Sequence, residues 1–443
     1  MNPELRKNIW LELSAGRVLT CLLVIGVISL TQTIAHDPAL FFYGFGNMLI
    51  AIAAVFGAPR VAKSITGEIA ENTWDFQRMS SATAWELTIG KLVGAPIFFI
   101  LIGAIGVAIS VLAALVRDTL PVSVLALYVV STICMVFIVY AVALMAALES
   151  VGKDRSRRRS KVKDSFFFMV ILAGAALMWS SFSATLMDWS QAPLRWWGIE
   201  FKALEFVLIS AALFMLWSLL GAYRMMRAEL QYKSTPLVWG AFLIFLWVYV
   251  DPLVHAVRAD SEDNGLYLFG ITGMIGTMCG LYYGLLLESK DIIILKKLKA
   301  AIIARDFRTA LLYTPRWVVS LALLVVATAC VLGGASVARQ DLASGAARAS
   351  SILFFAIRDA AVILSFYLAA PGHRRNDASV VVYLFLAYAL LPWVLWAANA
   401  HQAAALLHPF TRDGAHAGTS LVGSMLGALA AMVFVVRLFR RRV

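Results

Sequence analysis

Between two apolar runs the chain carries a polar stretch, 64–91, in which Glu68, Glu71, Asp75 and Glu86 alternate with Trp74, Phe76 and Trp85. Acids and large aromatics at this spacing suit docking. The aromatics can fill a hydrophobic cleft on a partner, and the carboxylates can pair with basic residues at its rim, setting orientation and partner choice. A solvated loop helix with aromatics at headgroup level is the plainer account of the same residues. A second group is Arg358-Asp359, in the middle of an apolar run. Ionisable residues at the bilayer centre cost about 2.5–3.5 kcal/mol each on insertion scales, so this pair needs a reason to be there. Three remain open: a polar lining or gate, pairing with another span, or a pair at the membrane interface. Signatures of catalysis are missing. Gly90-Lys91-Leu92 lacks the hydroxyl residue and upstream glycine of a phosphate-binding loop, and no His-x-x-x-His or Cys-x-x-Cys spacing marks a metal site. His401, His408 and His416 share one loop, where a polar loop is a simpler reading than a metal site. The chain is therefore expected to be no enzyme and to hold no catalytic residue, metal or cofactor of its own.

The elements that must position these residues are membrane helices. Hydrophobic residues make up 61% of the 443 and charged residues 14%, with mean hydropathy +0.82. That leaves too little polar surface for a water-soluble domain, whose charged share is about 25%. Apolar runs long enough to cross about 30 Å of hydrocarbon recur from end to end, without the strict alternation of a β-barrel. About twelve spans are expected: 18–35, 39–58, 92–116, 120–148, 165–187, 203–222, 237–257, 266–287, 317–337, 350–370, 378–400 and 419–436. The fourth is long enough to tilt or to project from the membrane. The fold class is thus an all-α polytopic bundle. The net charge of +12 comes from short basic blocks, at 153–163, 290–316 and 437–442, which read as topology signals and not as a nucleic-acid surface. With both termini in the cytoplasm, about 30 basic residues fall inside and about 7 outside.

Two segments have the pattern of interfacial amphipathic helices. One is 3–17, with Leu5, Ile9 and Leu13 on a stripe and Arg6, Lys7 and Glu12 off it. The other is 292–313, mixing Ile293, Ile294, Leu298, Ile302 and Leu311 with Lys296, Lys297, Lys299, Arg305 and Arg308; its cations would lie near lipid phosphates, and a long basic loop reads equally well. Each precedes a span, which divides the chain into 1–289 and 290–443 as a weak repeat. Segment 188–202, with Trp189, Trp196 and Trp197, reads as a membrane-belt anchor or as a re-entrant or interfacial helix. Asp251-Pro252 reads as a helix end or kink. Cys21, Cys134, Cys279 and Cys330 read as buried structural thiols.

Order and spacing in the first 120 or so residues resemble the membrane subunit of a type-2 ABC exporter. The residues that carry the likeness are Asn2-Pro3-x-Leu5-Arg6-Lys7, then after two spans Glu68-x-x-Glu71-x-Thr73-Trp74-Asp75, Ser80-Ser81, Trp85-Glu86-Leu87 and Gly90-Lys91-Leu92. The resemblance implies that 3–17 is an elbow helix and that 64–91 holds a cytosolic coupling helix seated in a groove of an ATPase subunit. Glu68, Glu71, Trp74, Asp75, Phe76, Trp85 and Glu86 would then be the docking residues. It also implies two copies of a separate ATPase that carries ATP and Mg, and a second permease chain, identical or related. The location implied is the inner membrane, among lipids. Asn72 stands where the family has Gly, Ala82-Thr83 where Pro is common, and the spans outnumber the usual six. The rival reading is an autonomous secondary transporter or lipid flippase.

Overall fold

The computed structural model describes residues 3–31, 38–116, 121–154, 194–257, 265–288, 292–337, 342–369, 373–407 and 417–442. Among these, ten helices are long and apolar enough to cross a membrane, or eleven if the bent pair at the N-terminus counts as one span. The expected span 165–187 lies outside the described residues. The chain forms two compact units, Met1–Leu194 with Gly198–Ser234, and Arg195–Trp197 with Thr235–Val443.

In the first unit, α1 (Pro3–Glu12) and α2 (Ala15–Thr31) meet at a 60° bend, so the amphipathic segment ends at Glu12 and not at residue 17. Helix α3 (Pro38–Ala70) runs well past its expected end at 58. Two short helices follow, α4 (Trp74–Arg78) and α5 (Ala84–Ile89), then a π-helical turn (Gly90–Gly94), α6 (Ile97–Val116) and α7 (Val122–Asp154). A hairpin of β1 (Leu194–Trp196) and β2 (Ile199–Phe201) leads into α8 (Ala203–Glu229). The described part of 188–202 is therefore strand and not a re-entrant or interfacial helix. The reason is local: Trp197 and Gly198 both adopt positive φ, 51° and 75°, which suits a two-residue hairpin turn. The core joins α3, α4, α5, the π turn, α7 and α8 through Val61, Ile65, Trp74, Leu87, Leu92, Tyr140, Leu144, Ala222 and Met226. Where α3 crosses α6 the contact is backbone-close: a Cβ on Gly106 would meet the Gly46 carbonyl oxygen at 2.6 Å. Small residues at such crossings allow close packing where lipid gives helices no hydrophobic drive to associate.

The second unit contains α9 (Leu237–Val257), α10 (Gly265–Leu287), α11 (Ile292–Ile303), α12 (Phe307–Tyr313), α13 (Arg316–Val337), α14 (Leu342–Ala369) and α15 (His373–Phe385). A π-helical turn (Leu386–Leu390), α16 (Leu391–Ala397), α17 (His401–Leu407) and α18 (Ala417–Arg442) complete it. Helix α9 continues through Pro252 to Val257, so Asp251-Pro252 does not end it. Packing runs across residues 289 and 290. Helices α10 and α13, on either side of them, share one core through Met274, Leu281, Leu285, Leu324, Ala327 and Val331. Their backbones nearly touch, since a Cβ on Gly270 would lie 2.6 Å from the Val331 nitrogen. The expected single helix 292–313 is broken: Arg305 takes φ 55° and the Asp306 carboxylate accepts from the Thr309 amide at 3.1 Å, starting α12 afresh.

Of the cysteines only Cys134 is buried; Cys279 is exposed and the other two are half-buried. Burial was expected for all four because each sits in an apolar run, but a span can turn such a residue outward.

Candidate functional site

The polar stretch is built by helix ends and one buried lysine. Helix α3 stops in a Schellman arrangement. The Thr73 amide donates to the Glu68 carbonyl (2.8 Å) and the Asn72 amide to that of Ile69 (3.1 Å), with Asn72 in the left-handed region at φ 58°. Asn tolerates this conformation better than most residues other than Gly. The turn sends Trp74 inward, where it is 4% exposed. Thr83 then starts α5 with a capping box. Its Oγ1 accepts from the Glu86 amide (3.2 Å), and the Glu86 carboxylate accepts from the Thr83 amide (2.8 Å) and hydroxyl (2.9 Å). These bonds, the backbone one foremost, hold the Glu86 carboxyl below its ordinary range.

Pro96 lacks the N–H that residue 92 would receive and its ring crowds that carbonyl. The chain widens into the π turn Gly90–Gly94 just before it. That turn swings Lys91 fully inside. Its Nζ lies 2.6 Å from Glu68 Oε2, donates to the Ser64 carbonyl at 2.9 Å, sits 3.8 Å from Glu4 Oε1 and stands 5.4 Å from the centre of the Trp74 ring. Burial pulls the lysine below its usual value, against the opposing pull of Glu68 and Glu4. Glu68 also accepts from Gln77 Nε2 at 2.6 Å and pairs with Lys7 at 3.7 Å.

This knot ties α1, α3, α4 and the π turn together. Helix α1 is fixed further along its length, because Glu12 pairs with Arg60 on α3 (3.4 Å) and with Arg17 (3.1 Å). Its half-buried stripe is Glu4, Leu5, Asn8, Ile9 and Glu12, continued by Leu13 just beyond it, while Trp10 and Leu11 are exposed. The polar side of α1 thus faces protein as much as its apolar side does.

The seven residues singled out from the sequence therefore separate. Glu68 and Trp74 face the interior and cannot touch a partner without unpicking the knot. Glu86 is committed to its cap. Glu71, Asp75, Phe76 and Trp85 lie at the surface, with Met79, and Phe76 is 72% exposed. Trp85 is steadied edge-on by Tyr223 at 5.6 Å. Lys91, quoted only within Gly90-Lys91-Leu92, and Glu4 were not placed in the site; Pro96, five residues beyond Lys91, was the signal for the first.

Arg358 and Asp359 form a second polar centre, in the second unit. Asp359 is fully buried. Its carboxylate accepts from the hydroxyls of Tyr282 (2.6 Å), Tyr383 (2.6 Å) and Tyr388, and pairs with Arg358 at 2.9 Å. The Arg358 guanidinium also stacks over Phe355, 4.5 Å from the ring centre. Adjacent residues on a helix point about 100° apart, yet the long arginine folds back to its neighbour. The phenols come from α10, α15 and the π turn Leu386–Leu390, so the pair ties these elements to α14 within the candidate span Gly345–Ala369. The π turn again precedes a proline, Pro392, and it carries Tyr388.

A third acid was not foreseen. Asp251 is 4% exposed, accepts from Thr272 Oγ1 at 3.1 Å and lies 3.5 Å from His255 Nε2. Of the loop histidines only His401 is described, edge-on to Trp396 at 5.7 Å. Trp196 donates Nε1 to the Tyr249 carbonyl at 3.1 Å, and Trp197 is exposed; Trp189 lies outside the described residues. Among the described residues no three His, Cys, Asp or Glu side chains come together to hold a metal. Compared with known proteins, the chain matches no family model, no curated protein and no solved structure.

Proposed function

We propose that this chain is the membrane-embedded permease of an ATP-driven transporter of the type-2 ABC kind, an exporter in the inner membrane with both termini in the cytoplasm. A separate ATPase, in two copies, supplies the nucleotide sites, and a second permease chain, identical or related, completes the pathway. The observation that carries this reading is the stiff mount beneath Glu71, Asp75, Phe76, Met79 and Trp85. An exposed acidic and aromatic surface is joined through Lys91 and Glu68 to α1, α3 and the turn that opens α6. A partner pushing on that surface would move those helices together, as a coupling helix with an elbow helix beside it must. The wild-type protein, purified from its native membrane in mild detergent, should carry a near-stoichiometric chain with a phosphate-binding loop. The Asp75→Cys variant should crosslink to that chain. Undiminished substrate flux in a Glu71→Ala, Asp75→Ala, Trp85→Ala variant expressed at normal level would sink the docking role.

A second reading, a gradient-driven transporter, draws on Asp251 and Asp359, both buried within spans, where ionisable residues mark ion or proton pathways. It calls for a stable, active preparation with no ATPase, in which Asp251→Asn or Asp359→Asn abolishes dependence on the ion gradient.

A further inference from the structure

Helices α11 and α12 and the break between them carry Lys296, Lys297, Lys299, Arg305 and Arg308, all exposed. Lys299 Nζ stands 5.8 Å from the ring centre of Phe439, which brings the last turns of α18 beside α11, with exposed Arg437, Arg440 and Arg441. Two segments more than a hundred residues apart in sequence thus add their charges at one place. Among the described residues no carboxylate lies within ion-pair distance of Lys296, Lys297, Lys299, Arg437, Arg440 or Arg441. Asp306, the one acid in α11–α12, is spent on the α12 cap. Like charges gathered in this way repel unless something anionic sits over them.

The neighbouring side chains say what that is. Ile293, Ile302, Ile303 and Phe307 are exposed on the same two helices, Phe307 at 83%. A nucleic acid would leave these in water, whereas a lipid surface takes both, the apolar groups entering the acyl boundary and the cations meeting phosphates. The break at Arg305 splits the amphipathic stretch, and Lys297, over the Tyr313 ring at 5.5 Å, ties α11 to the end of α12. We infer that α11, α12 and the C-terminal turns of α18 form a binding surface for anionic phospholipid headgroups. It selects anionic over zwitterionic lipid, whatever drives transport.

The test is native mass spectrometry of the full chain released from mixed micelles holding equal phosphatidylglycerol and phosphatidylcholine. The wild type should retain phosphatidylglycerol preferentially, and 1 M salt should abolish the preference by screening. At low salt each cation near the surface gives about a fivefold preference. The Lys296→Gln, Lys297→Gln, Lys299→Gln variant should therefore lose roughly 100-fold, and the Arg437→Gln, Arg440→Gln, Arg441→Gln variant a comparable amount. The Arg437→Gln, Arg440→Gln, Arg441→Gln variant, whose side chains are exposed, should keep its unfolding temperature and serves as the structural control. Equal retention of the two lipids by the wild type, or unchanged preference in both variants, would overturn the inference. So would displacement of phosphatidylglycerol by millimolar inorganic phosphate, which would mark a site for a soluble phosphate compound.

Discussion

Replacing Lys91 by Met keeps most of the side-chain volume and removes only the ammonium. In the folded chain that ammonium is fully buried and has Glu68 at 2.6 Å, the Ser64 carbonyl at 2.9 Å and Glu4 at 3.8 Å. Breaking a buried pair from one side costs about 3–5 kcal/mol, because the other charge stays behind unpaired. Here the abandoned Glu68 keeps Gln77 at 2.6 Å and the half-exposed Lys7 at 3.7 Å. The loss should therefore fall at the low end, about 3 kcal/mol. Removing both charges, Glu68→Gln with Lys91→Met, should recover much of it, because two neutral groups leave no stranded charge. Unfolding of the four proteins of the cycle, followed in the same detergent, gives a coupling energy expected to be about 2 kcal/mol. Two outcomes would refute the reasoning: a coupling near zero, or a single variant as stable as wild type. Either would mean that the ammonium makes no net contribution and that the knot does not brace the segment. On the proposed docking role, the single variant should also uncouple, retaining the ATPase while losing flux, because the exposed residues are untouched and only their mount is loosened.

Asp359→Asn strands Arg358 inside its span and should cost about 3–5 kcal/mol, whereas Tyr383→Phe removes one hydrogen bond within the membrane and should cost about 0.6–1.7 kcal/mol; unfolding midpoints of the two variants read the difference. The ionised form of Glu86 is the one the capping box favours, so its contribution is full above pH 4.5 and fades as pH falls through its lower folded value. Hydrogen exchange over 83–89, corrected for intrinsic rates, should show α5 loosening in acid for the wild type but not for Glu86→Gln, which keeps the acceptor without titrating. Gly106→Val should destabilise the first unit by about 1–3 kcal/mol, because its Cβ meets backbone at Gly46 that cannot yield cheaply; a normal unfolding temperature would show that the α3–α6 crossing is looser than described.

The sequence by itself determined the solvent of this protein. Runs of about 20 apolar residues admit helices and little else, since every backbone group must be satisfied within its own segment. It also showed where polar groups interrupt them: 64–91, 292–313 and Arg358-Asp359 were all visible as breaks in hydropathy. What it left open was direction. Glu68 and Phe76 looked alike as docking residues, yet one lies in a knot and the other at the surface, because the left-handed turn at Asn72 and the π turn before Pro96 fix which side chains swing inward. The tyrosines around Asp359 come from 24 to 77 residues away, and no periodicity links them. Which helices share a core was open for a related reason. A pattern of amphipathic helix followed by span can repeat along a chain, but the glycine seam of α10 against α13, closed across residues 289 and 290, decides which helices belong together. Local rules set the helices and their caps; only packing set which faces meet.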